Sequence, residues 1–69
     1  MGIEVLMNLI HTSDIGVARV ILRRESDVDA PWIATAVYED MRVIREAASE
    51  PEEALTLLLE TVRTSQDLF

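Results

Sequence analysis

Apolar residues recur at helical spacing over one long stretch, Ala54, Leu55, Leu58, Leu59 and Val62, while Glu53, Thr56, Glu60 and Arg63 fall on the other side. The residues ahead of this stripe carry the signals of a helix start. Ser49 is placed to accept a bond from a backbone N–H of the first turn, Glu52 follows three residues on as in a capping box, and Pro51 tolerates an early helical position because its missing N–H is not needed there. A helix is therefore expected from about residue 50. Glu50, Glu52 and Glu53 would meet the positive end of its dipole, and Arg63 would fall in its last turn. Leu57 fits neither side well and is either the margin of a wide core stripe or a contact with a partner.

Other patterns are less decided. Ile3 to Ile10 is apolar almost all round: Ile3, Leu6, Met7 and Ile10 suit a helix, and Ile3, Val5, Met7 and Leu9 suit a strand. Either way the segment should be buried, over an open sheet face or in a subunit contact. A polar turn, His11 to Asp14, ends at Gly16. Val17 to Arg24 is β-branched and alternates, Ala18, Val20 and Leu22 against Arg19, Ile21 and Arg23, which predicts a strand. Glu25 to Pro31 reads as a polar loop, in which Asp27 and Asp29 lack the glycine and further acidic ligands of a calcium loop and form a solvated turn.

Residues 32–48 admit two readings. Trp32 to Tyr38 and Met41 to Ala48 can pair as strands around Glu39-Asp40, or the segment can be one helix with Thr35, Glu39, Arg42 and Glu46 as its polar stripe. The aromatic and β-branched content of Trp32 to Tyr38, and the need of Val17 to Arg24 for a pairing partner, favour the hairpin. Asp40-Met41 argues the other way, because a tight turn wants glycine where Met41 stands. The fold expected is α+β, a small three-stranded antiparallel sheet with a C-terminal helix packed on one face; an all-α helical hairpin is the alternative. One domain, 1–69, would comprise an apolar segment 1–16, a β-β-β-α unit 17–64 and a short tail.

Size and charge narrow the function. A chain of 69 residues buries only about 60% of its unfolded surface, so association would help it. Thirteen carboxylates against six arginines give a net charge of −7, which opposes direct nucleic-acid binding and suits a basic partner protein. With no cysteine, a thiolate zinc site is excluded, and no metal or cofactor is expected. The apolar runs are too short to span a bilayer, and a cytoplasmic protein is expected. There is no lysine and a single histidine, and His11, Ser13 and Asp14 lie too close along the chain to face one another as a triad, so no enzyme is expected.

The order of elements, with Trp32-Ile33-Ala34-Thr35-Ala36-Val37 and the Ala48-Ser49-Glu50-Pro51-Glu52-Glu53-Ala54-Leu55 helix start, resembles the β-β-β-α unit of HicB-like antitoxins over residues 17–64. Tyr38-Glu39-Asp40-Met41 stands where that family carries a glycine-rich, proline-containing segment, and only Thr64 to Phe69 follow the helix, so a DNA-binding tail is not expected. The resemblance implies an antitoxin-like module covering the basic surface of a partner. Two alternatives rest on other grounds: an inhibitor or nucleic-acid mimic that blocks a host nucleic-acid-binding protein, on charge and size, and a structural homo-oligomer, on the apolar N-terminal segment. A homodimer is expected, and Leu6, Met7, Ile10, Trp32 and Leu57 are the candidate interface residues.

Overall fold

The ambiguous N-terminal segment is a helix. A computed structural model describes residues 2–26 and 29–67, the side chains of 66 and 67 excepted. In it α1 (Ile3–Ser13) is followed by three strands, β1 (Val17–Arg24), β2 (Trp32–Tyr38) and β3 (Val43–Ala48), and by α2 (Pro51–Asp67). The strands form one antiparallel sheet in the order β1-β2-β3, so each connection is a hairpin. The α+β architecture is the one expected, and residues 32–48 form the hairpin rather than the helix. Asp27 of the Asp27/Asp29 pair lies outside the described residues.

Both helices cover the same face of the sheet, α1 against β1 and α2 against β2 and β3, and they touch each other. The core between the layers joins Leu6 and Ile10 of α1 to Ala54, Leu55, Leu58, Leu59 and Val62 of α2, over Val17, Ala34, Ala36, Tyr38 and Ala48 of the sheet. All five positions of the C-terminal apolar stripe are buried, as their spacing predicts. Ala34 and Ala36 on the central strand are wholly buried, and their small side chains let the helices lie close to the backbone of β2.

Local chemistry explains the turns. Asp14 Oδ1 accepts the Gly16 N–H at 2.9 Å, and the Asp14 carbonyl accepts the Val17 N–H at 3.1 Å, which turns the chain from α1 into β1. In β1 the register shifts between Val17 and Arg19; the extra residue, Ala18, is exposed, and Val17 takes the core-facing place opposite Tyr38. The sequence alternation places Ala18 on that side with Val20 and Leu22; the bulge removes it. Between β2 and β3 the Met41 N–H bonds the Tyr38 carbonyl at 3.0 Å and the Tyr38 N–H bonds the Arg42 carbonyl at 2.8 Å. Met41 takes φ 74°, the left-handed conformation a glycine would hold more easily. The objection that Met41 raises to a hairpin is thus a local strain and not a different fold.

Two details of α2 differ from expectation. The Glu50 carbonyl accepts the Ala54 N–H at 3.1 Å, which makes Glu50 the cap residue and Pro51 the first helical one. Ser49 is exposed and its hydroxyl makes no hydrogen bond among the described residues, so it is not the cap. The helix runs on to Asp67, and Arg63 falls short of its last turn, which holds no basic residue.

Candidate functional site

Exposed carboxylates concentrate on the outer side of α2. The core stripe fixes that helix's rotation, and Glu52, Glu53, Thr56, Leu57, Glu60, Arg63 and Thr64 are exposed, with Pro51, Thr61 and Ser65 partly so. Thr56 and Thr61 donate their hydroxyls to the carbonyls of Glu52 and Leu57 at 2.8 and 2.9 Å, so these side chains complete the helix itself. Leu57 is 37% exposed, an apolar side chain among carboxylates. Among the described residues the ion pairs are Arg23 with Glu25 and Arg42 with Asp40, and Glu52, Glu53 and Glu60 belong to neither. This side of α2 offers three carboxylates and one arginine, Arg63, none of them in an ion pair among the described residues, with Leu57 as an apolar contact at its margin.

The expected interface residues are not brought together. Leu6 is 4% exposed and Ile10 fully buried, both within the chain's own core; Met7 and Trp32 are half-buried and packed against that core. The exposed apolar residues of α1 are instead Ile3 and Val5. Of the five, Leu57 alone presents a substantial free surface. The reason is the helical form of the N-terminal segment, which turns Leu6 and Ile10 inward and covers part of the sheet with the chain's own residues.

The polar residues at the end of α1 have separate structural duties. The Ser13 hydroxyl donates to the Ile10 carbonyl at 3.0 Å and the Thr12 hydroxyl to the Asn8 carbonyl at 2.9 Å, while Asp14 holds the turn and His11 is exposed. No group of three histidine or acidic side chains converges as metal ligands would among the described residues. At the β2–β3 turn the Arg42 N–H and guanidinium both donate to the Asp40 carboxylate, at 3.1 and 2.8 Å. The backbone bond, reinforced by the guanidinium, holds that carboxyl below its usual 3.8. Arg42 also lies 4.6 Å from the centre of the Tyr38 ring. Burial, followed by the Asp14 charge, pushes the Tyr38 hydroxyl above its usual 10.0, against the opposing pull of Arg42. That hydroxyl is buried and makes no well-formed hydrogen bond among the described residues, although the Asp14 carboxylate lies near enough to act on it, and burial is the main cause of the shift.

No helix among the described residues is long and apolar enough to cross a membrane. Comparison with protein families, curated proteins and solved structures finds no match to this chain.

Proposed function

We propose that the chain is a non-catalytic protein-binding module of the kind its resemblance to HicB-like antitoxins implies, covering the basic surface of a partner protein with the outer side of α2. The observation that carries this reading is the exposed row Glu52, Glu53 and Glu60 around Leu57, unpaired with any arginine among the described residues. Unpaired carboxylates on a rigid helix steer a basic partner and fix its register at little desolvation cost, and a central leucine supplies the apolar contact.

The test is affinity capture from the native host with the wild-type chain and with Glu53→Lys/Glu60→Lys. The reading expects a basic protein retained by the wild type, released by moderate salt, and lost from the variant. Retention that is equal in both, or elution of a partner with an acidic surface, contradicts it.

A further inference from the structure

Among the described residues nothing covers the second face of the sheet, and its chemistry differs from the rest of the surface. Register places nine side chains on it in three rows: Arg19, Val37 and Val43; Ile21, Thr35 and Arg45; Arg23, Ile33 and Ala47. A chain with 13 carboxylates and six arginines sets three of the arginines and none of the carboxylates here. Besides the arginines the face carries Ile21, Ile33, Val37, Val43 and Ala47 around one polar residue, Thr35, where a merely solvated face would be mostly polar. Val43 is 49% exposed, and Ile21, Ile33 and Val37 are half-buried around a nearly closed Thr35. Ile21, Arg23, Thr35, Val37, Val43 and Arg45 line a shallow depression of about 260 Å³.

We infer that this open face docks an acidic amphipathic helix of a partner protein. Strand spacing makes the nine-residue patch ~10 Å wide and ~13 Å long. A helix ~10 Å across fits that width and needs ~9 residues to run its length. Laid along β2, such a helix sets its apolar stripe on Ile33, Thr35 and Val37, with Arg19 on one flank and Arg45 on the other. Glu25, just past β1, already pairs with Arg23 at 3.1 Å, whereas Arg19 and Arg45 have no ion pair among the described residues. Carboxylates on both flanks of the incoming stripe would meet these two.

A second copy of the chain is a poor occupant. Two open faces stacked on each other would bring six arginines together. The acidic outer side of α2 has the right charge but offers only Leu57 as an apolar contact, and it lies on the opposite side of the molecule, so such a contact would propagate from copy to copy without closing. The docking face is separate from the acidic side of α2 and does not depend on that proposal.

The test uses two synthetic helices of about 18 residues, long enough to hold their form. They share a leucine stripe and differ only in flanks, glutamate in one and lysine in the other. Each is titrated into labelled protein and followed by backbone-amide NMR. The glutamate helix should shift the amides of Ile21, Thr35, Val37 and Arg45, and Arg19→Ser/Arg45→Ser should weaken it by about tenfold or more, because two flanking charges are lost. Both arginines are exposed, so the variant should keep its dispersed spectrum. Glu53→Gln/Glu60→Gln should bind the peptide as the wild type does, which separates this face from α2. Should the arginine variant fail to fold, the salt dependence of wild-type binding replaces it, and salt-insensitive binding overturns the proposal. It is equally overturned by no binding, by equal binding of the lysine helix, by shifts confined to α1 or α2, by a single-stranded oligonucleotide displacing the peptide from the same amides, or by these amides shifting with protein concentration alone.

Discussion

One side of the sheet is sealed by two helices and the other is bare, and the sequence equips them differently. On the covered side the central strand carries Ala34 and Ala36, and the helices supply the bulk, with Ile10, Leu55, Leu58 and Val62 fully buried. On the bare side the same strand carries Ile33, Thr35 and Val37, which no element among the described residues covers. Ala34 and Ala36, between Trp32 and Tyr38, let the helices approach the middle of the covered face, whereas Ile33 and Val37 stand on the open one, where a solvated outer face would carry polar residues. Core packing and open apolar surface are thus divided between the two faces of one strand.

The comparison is broken most directly in the core. Leu58→Ala should destabilise by about 2–5 kcal/mol, enough to unfold much of so small a chain, whereas Val43→Ala on the bare face should cost less than about 1 kcal/mol, because its side chain is already half in water. Chemical denaturation of both variants checks this, and equal losses would mean that the bare face is covered in solution.

Met41 lies on neither face, so its effect should come from the backbone alone. Met41→Gly should stabilise by about 1 kcal/mol by relieving the left-handed conformation, as the denaturation midpoint would report. A destabilised variant would show that the exposed Met41 side chain contributes contacts after all. At the helix start, Ser49→Ala should change stability by less than about 0.5 kcal/mol, since its hydroxyl holds no bond. A loss of cap size in the same denaturation series would restore Ser49 to that role.

The smallest expected effect is electrostatic. The Asp40 carboxyl titrates below 3.8, so the stability gained from its charged form is present above the unfolded value and disappears as pH falls through the depressed folded one. Tyr38 acts at the other end: its raised value means a contribution present below pH 10.0 and lost as pH rises through the folded value. Asp40→Asn should therefore flatten the acid limb slightly and shift the alkaline limb only a little, because the Asp40 charge is the last of the causes that raise the Tyr38 hydroxyl. Carboxyl-carbon NMR titration that places Asp40 at or above 3.8 would remove the basis for this.

The C-terminal helix was legible because Ala54, Leu55, Leu58, Leu59 and Val62 mark one side at helical spacing, with only Leu57 off it. The N-terminal segment was not, since Ile3, Val5, Leu6, Met7, Leu9 and Ile10 satisfy both periods, and what decides is tertiary: α2 lies mainly over β2 and β3, and α1 supplies the lid for β1. For residues 32–48 the helical stripe of Thr35, Glu39, Arg42 and Glu46 is a coincidence of spacing, overridden by backbone pairing with β1. Ser49 misled because a preferred capping residue stood one place before the true cap, Glu50. The alternation of Arg19, Ile21 and Arg23 was visible, but their alignment with Val37, Val43 and Arg45 depends on two hairpin registers and a bulge at Ala18, which no local pattern specifies. The bare arginine-flanked face therefore emerges only from the assembled sheet.

Methyl NMR with a soluble paramagnetic agent tests the division of the two faces most directly. The methyl groups of Val43, Ile21 and Val37 should broaden strongly, while those of Ile10, Leu55, Leu58 and Val62 stay sharp. If Val43, Ile21 and Val37 are protected as fully as the core methyls in the isolated protein, the face is already occupied by the chain or its copies, and the account is wrong.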